Sequence, residues 1–309
     1  MVLGTWCLIS GLSPALRLRA RWYPMLGLIR TELRRALSCR TFLAAEVLGI
    51  VAAVVAAAWS AGDYWSVVDR VSQYSQGTHP SQFANGVFTY WMPMTVMQSV
   101  PNIYFFVAPL LVGLSYAWSW RADIDGGYAQ QLMIRSERAR VYWAKALATF
   151  VAGAAVVTAP LVINLLLLVC LVPAYMPDIT TVIYTGIWEK VFLSEVFYTF
   201  PVLYILLRLV LDALLGGLWA TTVLACSLLI RNRVAIIVLP YMALVIIKYV
   251  SERIYVLAGV QLSSLTILDQ LKARGDAFYY SGWALLAGIV TMAAVSVVIP
   301  LVLRRGDAL

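Results

Sequence analysis

The stretch LATFVAGAAVVTAPLVINLLLLVCL, from Leu147 to Leu171, decides the fold, because it contains 25 consecutive residues without a charged side chain. An α-helix rises about 1.5 Å per residue, so a helix of this length can cross the roughly 30 Å hydrocarbon core of a bilayer. A helix also satisfies its own backbone hydrogen bonds, as a segment surrounded by lipid must. The stretch therefore predicts a membrane-spanning helix.

Similar apolar runs recur on both sides of this stretch. Six spans are predicted, at about Thr41 to Ser60, Pro101 to Trp120, Leu147 to Leu171, Val210 to Ile230, Val234 to Val250 and Gly282 to Leu303. The composition agrees, since 62% of the 309 residues are hydrophobic and only 12% are charged, about half the charged share of a soluble domain. We therefore expect an all-α polytopic membrane protein with six transmembrane helices.

Basic residues are concentrated between alternate spans. Sixteen fall on one side of a six-span arrangement: Arg17, Arg19, Arg21, Arg30, Arg34, Arg35, Arg40, Arg121, Arg135, Arg138, Arg140, Lys145, Arg231, Arg233, Arg304 and Arg305. Six fall on the other side, over longer loops: Arg70, Lys190, Lys248, Arg253, Lys272 and Arg274. Because basic loops remain cytoplasmic, we expect a multi-pass protein of the cell membrane with both termini in the cytoplasm. The net charge of +8 then reflects topology and contact with anionic membrane lipid, and no nucleic-acid partner is expected.

The chain before the first span divides into two parts. Residues 1–24 are expected to be an N-terminal extension, since Met25 offers a second start. Residues 25–40 predict an amphipathic helix that begins after Pro24. Its apolar face carries Leu26, Ile29, Leu33 and Leu37, and its charged residues Glu32, Arg34 and Arg35 point away from that face. Such a helix lies in the cytoplasmic interface of the membrane and forms an elbow before the first span.

Residues 41–309 make up the six-span domain, and three of its connecting segments carry predictions of their own. The external loop of residues 61–100 is expected to fold as a small cap, with Tyr64, Trp65, Tyr90 and Trp91 in an aromatic belt at the interface. Residues 197–208 are apolar but too short to cross the membrane, and residues 253–276 offer only a half-membrane length of apolar residues. We expect them to form short outer-leaflet or re-entrant helices.

Few ionisable or strongly polar residues fall inside the predicted spans or at their ends. They are Glu46, Asn164, Arg208 and Asp212. Arg208 and Asp212 are four residues apart on one helical face, where they can form a structural ion pair. No row of carboxylates is present that would relay protons, which argues against secondary transport. No phosphate-binding GxxxxGK[ST], no HExxH, GxSxG or CxxC motif and no metal-ligand spacing occurs, so neither catalysis nor a cofactor or metal is expected in this chain.

The loop of residues 121–145 interrupts the apolar chain with polar and basic residues. DIDGG, from Asp123 to Gly127, signals a turn, and YAQQLMI then gives one to two helical turns. Tyr128, Leu132 and Met133 can share an apolar face there. A short amphipathic helix beside fixed charges suits docking into a groove of another protein. A positively charged cytoplasmic turn without a partner explains the same residues equally well.

The order of features resembles the permease subunits of ABC-2-type transporters, in particular bacterial half-size exporter permeases. GLIRTELRRALSCRTFL (27–43) is similar to their elbow helix, and EVFYTFPVLYILLRLVLDALLGGLWATTVLACSLLIRN (195–232) to their fourth-helix region. APLLVGLSYAWSWRADIDGGYAQQLMIRSERARVYWAKALA (108–148) resembles the end of their second span and the coupling loop that follows it.

The resemblance implies that the loop docks on a separate cytosolic nucleotide-binding ATPase subunit, which would hold the ATP and Mg²⁺. The residues implied in docking are Asp125, Gly126, Gly127, Tyr128, Leu132, Met133, Arg135, Arg138 and Tyr142. It further implies a dimer of permease chains, identical or different, and export of a hydrophobic or amphipathic peptide, lipid or drug. A membrane anchor or sensor, whose loop docks a signalling partner, is the alternative. An intramembrane enzyme is disfavoured because no catalytic pair is visible.

Overall fold

The computed structural model describes residues 14–74, 85–95, 98–178, 182–188, 191–258, 266–273 and 282–305. Within these ranges the protein is helical and contains no strand. The helices are α1 Pro14–Leu37, α2 Arg40–Tyr74, α3 Val87–Tyr90, α4 Ser99–Val112, α5 Ser119–Asp125, α6 Tyr128–Arg135, α7 Arg138–Leu171, α8 Val182–Thr185, α9 Ser194–Thr199, α10 Pro201–Cys226, α11 Arg233–Ala258, α12 Ile267–Gln270 and α13 Gly282–Arg305. A π-helix over Gly113–Ala117 extends α4 towards α5.

Six helical stretches of the described part are long and apolar enough to cross a membrane, one of them formed by α4, the π-helix and α5 together. They coincide with the six predicted spans, except that the fourth ends at Cys226 rather than Ile230, so the prediction of an all-helical six-span protein is confirmed at this level. The first of them, α2, continues to Tyr74. The first third of the predicted external loop is therefore a helical extension of the span rather than part of a cap.

The third span, α7, lies at the centre of the bundle and packs against α1, α2 and α10. Gly153 of α7 and Gly216 of α10 face each other, and a Cβ atom added to either would lie within 2.9 Å of the other's carbonyl oxygen. Small residues allow helix backbones to approach this closely where the membrane supplies no hydrophobic driving force. Gly153 and Gly216 therefore allow α7 and α10 to pack closely.

Helix α1 begins at Pro14, earlier than the predicted start after Pro24. Pro24, which was predicted to precede the first turn of the helix, therefore lies inside it. The helix packs along α7 through the face that carries Glu32 and Ala36, both fully buried. Leu26 remains exposed. The predicted outward direction of Glu32 is wrong, because buried partners described below compensate its charge.

The break before the fourth span lies at Phe200. Residues 201–226 form one helix, so the predicted separate outer helix of residues 197–208 is replaced by the short α9 and the first two turns of α10. Phe200 has non-helical backbone angles, φ −136° and ψ 72°. A residue before proline disfavours the helical region, and Pro201 suits the first position of a helix, which places the boundary here.

Two short segments insert into the bundle at the end opposite α1, which we call the far end. In the first, residues 85–95, Trp91 is fully buried and donates its Nε1–H to the carbonyl of Leu161 (3.2 Å). In the second, α12 is buried along its whole length. The backbone N–H of Ala273 donates to the carbonyl of Pro93 (3.1 Å), which joins the two segments.

These insertions revise two predictions made for the connecting segments. Tyr64, Tyr90 and Trp91 are buried in the bundle, so none of the three lies in an interfacial belt, whereas Trp65 is exposed as a belt residue would be. Of residues 253–276, the first part continues α11 to Ala258 and residues 267–270 form α12. Residues 259–265 and 274–276 lie outside the described part of the chain, so the predicted re-entrant hairpin is described only at α12.

Candidate functional site

The predicted loop of residues 121–145 folds as two short helices joined by a glycine turn. Helix α5 ends at Asp125, and α6 begins at Tyr128. Gly127 between them has φ +73°, a left-handed conformation that glycine adopts without the steric penalty of a Cβ. The turn predicted from DIDGG is confirmed, and the glycine sets the angle at which α6 leaves the bundle.

Four charged residues meet beneath this turn and form what we call the charge cluster: Glu32, Arg35, Asp123 and Lys145. Arg35 reaches both acids, with Nη2 3.0 Å from Asp123 Oδ1 and Nη1 3.1 Å from Glu32 Oε1. Lys145 Nζ contacts Asp123 Oδ2 and lies 3.8 Å from Glu32 Oε2. The cluster therefore joins α1, α5 and the first turns of α7.

Tyr116 completes the surroundings of Glu32. Its hydroxyl donates to Glu32 Oε2 (3.0 Å), and its ring centroid lies 5.3 Å from Lys145 Nζ. Tyr116 belongs to the π-helix, whose extra residue per turn locally changes the direction of the side chains. The carbonyl of Ser115 in the same π-turn accepts a hydrogen bond from Thr41 Oγ1 of α2 (3.0 Å). The irregular turn thus ties the second span to α1 and α2.

Arg35 links the charge cluster to α6. Its guanidinium lies 4.1 Å from the ring centroid of Tyr128, within the range of a cation–π contact. Burial alone would lower the pKa of Arg35, but the hydrogen bond and negative charge of Asp123, with the charge of Glu32, hold that pKa above its ordinary value. Arg35 is therefore permanently charged. Because its guanidinium contacts the ring of Tyr128, a displacement of Tyr128 would shift Arg35 and disturb its ion pairs with the other members of the cluster.

The cluster balances two acids against two bases; Glu32, Asp123 and Lys145 are buried, and the side chain of Arg35 is 40% exposed. Glu32 and Lys145 each expose only 1% of their surface. Buried charges of this kind are costly to desolvate and are retained where each has a partner, so removing one member leaves an uncompensated charge. The arrangement differs from a positive-inside loop, which needs only exposed basic residues.

The residues predicted to dock a partner separate into a buried and an exposed group. Tyr142 is buried and packs its ring on Trp120, with centroids 5.3 Å apart. Leu132 and Met133 are partly buried against the core of this chain. Asp125 is bound at the surface by Arg121 (3.0 Å) and by Arg233 (3.6 Å). Gly126 and Arg138 are exposed, and the side chain of Arg135 lies outside the described part.

The face of α6 that points away from the bundle carries Gln130, Gln131 and Ile134. Ile134 exposes 86% of its surface, so its side chain does not pack against this chain. The predicted apolar face of Tyr128, Leu132 and Met133 instead turns towards this chain. The surface that remains available to a partner is therefore centred on Ile134, which the sequence pattern did not single out.

The predicted intramembrane residues occupy three separate sites. Asn164 is buried in α7; its Oδ1 accepts from the backbone N–H of Met92 (3.1 Å), and its Nδ2 donates to the carbonyl of Ala53 (2.9 Å). Arg208 and Asp212 form the predicted ion pair, 3.0 Å between Nη2 and Oδ1. Glu46 lies apart in α2, and its Oε2 is buried without a hydrogen-bond partner among the described residues.

A further polar network at the far end escaped the sequence interpretation. Arg208 also donates from Nη2 to the carbonyl of Gln270, whose side chain donates to the carbonyl of Ala284 (3.1 Å). Asp269, beside it in α12, contacts Lys248 Nζ at 2.5 Å. These contacts anchor α12 to α10, α11 and α13. The only signal in the sequence was the charge of Asp269 and Lys248, which two distant segments carry.

Nothing in the described residues groups three or more His, Cys, Asp or Glu side chains as a metal site. Comparison with known proteins adds no assignment, since no family model, no curated protein and no solved structure matches this chain. The resemblance to ABC-2-type permeases therefore rests on the order of features and on the loop.

Proposed function

We propose that this chain is the membrane permease subunit of an ATP-driven exporter of the cell membrane. In this proposal both termini are cytoplasmic, a cytosolic nucleotide-binding subunit holds ATP and Mg²⁺, and two permease chains, identical or different, enclose the path. The cargo class is hydrophobic or amphipathic: peptide, lipid or drug. The observation that carries the proposal is the charge cluster, because it joins the loop to the elbow helix and to two spans.

A mechanical role for the loop requires a rigid connection from its surface to the spans. Tyr128 of α6 stacks on Arg35, Arg35 binds Asp123, and Asp123 binds Lys145 of α7. Buried ion pairs hold their geometry because breaking one leaves a charge unpaired. A push on α6 is therefore passed to α1, to the end of the second span and to the start of the third.

The surface of α6 suits the docking step. Ile134 is an exposed apolar side chain one helical turn after the exposed Gln130 and Gln131, at the end of the bundle where basic residues are concentrated. A single apolar anchor surrounded by polar residues is typical of the buried centre of an interface. The expected occupant is a groove of the ATPase subunit, and the basic residues near it would steer the encounter.

Cross-linking from this position tests the proposal. An Ile134→Cys chain carrying a photo-activatable cross-linker should capture a protein that contains GxxxxGK[ST] and hydrolyses ATP. A Gln73→Cys chain, labelled at an exposed residue of the far end, is the matched control and should not capture it. Capture of a partner without that motif would favour a membrane anchor or sensor, and capture of lipid alone would reject docking at Ile134.

A further inference from the structure

The second span is interrupted by the π-helix over Gly113–Ala117, between α4 and α5. A π-helix bonds each N–H to the carbonyl five residues earlier, so one turn holds one residue more than a turn of the α-helix on either side. Such a turn is equivalent to an α-helix with a single inserted residue. Everything that follows it is therefore placed one residue out of phase with α4.

Side chains as well as the backbone stabilise this wide turn. Ser115 Oγ donates to the carbonyl of Val112 (2.7 Å), and Trp118 Nε1 donates to the carbonyl of Leu114 (3.1 Å). Thr41 of α2 donates its hydroxyl to the carbonyl of Ser115 (3.0 Å). Three carbonyls in and beside the π-helix thus accept from side chains. The sequence therefore specifies the wide turn through these donors.

The residues directly after the π-helix leave hydrogen-bonding groups unsatisfied in this arrangement. Ser119 and Trp120 expose only 5% and 1% of their surfaces. Neither Ser119 Oγ nor Trp120 Nε1 has a hydrogen-bond partner within the described part of the chain. A buried donor without an acceptor carries the full cost of its desolvation. Two unsatisfied donors therefore offset the side-chain bonds that favour the π-helix.

A regular α-helix through the same residues is the alternative arrangement. In it, each residue after the π-helix advances by one position, which turns α5 by about 100° and moves it by about 1.5 Å along the helix axis. Ala122 would then occupy the place where Asp123 now meets Lys145. The conversion therefore withdraws the carboxylate of Asp123 from the charge cluster and turns the first part of the loop relative to the spans.

The charge cluster can lose Asp123 without leaving its other acid unpaired. Glu32 keeps both basic neighbours, Arg35 at 3.1 Å and Lys145 at 3.8 Å. The side chain of Arg35 is 40% exposed, so water can solvate the positive charge that the cluster then carries. The conversion therefore costs one set of contacts rather than the fold, and the α-helical form is the minor one.

We propose that the π-helix Gly113–Ala117 is a register switch. The second span interchanges between the π-helical form, in which Asp123 contacts Lys145, and a minor α-helical form, in which it does not. The use of this movement, to reorient the docking surface of α6 relative to the spans, rests on the proposed function. The two forms themselves are a property of this chain alone.

Fluorine NMR of the purified full-length chain in detergent micelles, with 5-fluorotryptophan in place of tryptophan, tests for the two forms. Trp118 and Trp120, assigned with Trp118→Phe and Trp120→Phe, should each show a second signal or relaxation dispersion from exchange. Trp219 donates its Nε1–H to the carbonyl of Pro109, ahead of the π-helix (2.8 Å), and is the internal control without exchange. Absence of exchange at both Trp118 and Trp120 in the wild type would overturn the proposal.

Deletion of Leu114 should abolish this exchange. A hydrogen bond that spans five residues in the π-helix spans four after the deletion, so the span becomes a continuous α-helix with Asp123 still facing Lys145. Deletion of Ile103, an exposed residue of the regular helix α4, is the matched control. It turns the remainder of the span and should lower the thermal midpoint, whereas deletion of Leu114 should not. Exchange that persists without Leu114, or equal losses of midpoint in the two deletions, would contradict a register switch.

Thr41→Val should shift the balance between the two forms without altering the second span. The change removes the hydroxyl that bonds to the carbonyl of Ser115, so the minor population should rise by about fivefold, the equivalent of one neutral hydrogen bond. Thr158→Val, which removes a hydroxyl bonded within α7, should leave the population unchanged. Equal populations in Thr41→Val and the wild type would show that the exchange has another origin.

None of these measurements needs an ATPase. Failure of Ile134 to capture one would reject the proposed function and leave the two forms in place, whereas failure to observe exchange would reject the switch and leave docking at Ile134 in place.

Discussion

Lys145, at the start of α7, contacts the carboxylate of Asp123, at the end of α5, although 22 residues separate them in the chain. This contact joins the two ends of the loop, so the loop can move relative to the spans only if Lys145 and Asp123 move or separate. Arg35 holds the same carboxylate from α1. Two spans and α1 thus share one anchor, which makes the cluster the first place to test both stability and coupling.

Replacing Lys145 by Met should destabilise the protein strongly. The change keeps an unbranched side chain of nearly the same length but leaves Asp123 and Glu32 with Arg35 as their only basic partner in the cluster. Removing one partner of a buried ion pair typically costs about 3–5 kcal/mol. Thermal unfolding of the purified chain in detergent should show a clearly lower midpoint than the wild type.

Two further variants separate this effect from a general loss of charge. Arg121→Met removes a surface pair with Asp125 and should cost no more than about 1 kcal/mol. Lys145→Met combined with Asp123→Asn restores charge balance and should unfold at a higher temperature than Lys145→Met alone. A double variant as unstable as the sum of its parts would show that the cluster is not electrostatically coupled.

The sequence predicted the spans because their signal is local. An uninterrupted apolar run such as Leu147 to Leu171 contains its own evidence, since length and hydropathy alone decide whether a helix can cross the membrane. The turn at Gly127 was equally local, because two glycines after acidic residues favour it. Such features need no knowledge of what packs against them.

The charge cluster and the insertions required contacts between distant segments. Glu32 was placed on the polar face of α1 because its neighbours in the helix are Arg34 and Arg35, but its partners Tyr116 and Lys145 lie 84 and 113 residues away. Likewise, the sequence around Trp91 is typical of an interfacial segment, but Asn164 holds this segment inside the bundle through the backbone N–H of Met92. No pattern within a single segment reports these pairings.

Replacing Asn164 by Leu should loosen the insertion of residues 85–95. The change leaves the buried backbone N–H of Met92 without its acceptor, which costs about 1–3 kcal/mol. The segment should become accessible, so a cysteine placed at Met92 should react faster with a maleimide than it does in the wild-type background.

Thr158→Val is the matched control for this change. Thr158 lies in the same helix, and its hydroxyl donates only to the carbonyl of Ala154 one turn earlier. Its loss should leave the reaction rate at position 92 unchanged. An equal increase in both variants would mean that α7 as a whole, rather than Asn164, controls the insertion.

Replacing Gly153 by Ala should separate α7 from α10. A Cβ at Gly153 would lie 2.4 Å from the Cβ of Ala220 and 2.8 Å from the carbonyl oxygen of Gly216, distances that neither helix can accommodate without moving. Overpacking of this kind costs about 1–3 kcal/mol. Gly62→Ala, in α2 with nothing within 4 Å of the added atom, should leave the midpoint of thermal unfolding unchanged or raise it slightly.

The two faces of α6 should respond differently to the same substitution. Leu132 packs against the core of this chain, so Leu132→Asp should lower the thermal midpoint, by an amount equivalent to about 1–3 kcal/mol. Ile134 is exposed, so Ile134→Asp should leave the midpoint unchanged.

If Ile134 is the docking anchor, its substitution should weaken ATPase binding by about tenfold to a hundredfold, the equivalent of losing one buried apolar side chain. Co-purification of the ATPase with each folded variant, normalised to the recovered permease, measures this difference. Undiminished recovery with Ile134→Asp would show that Ile134 is not the docking anchor.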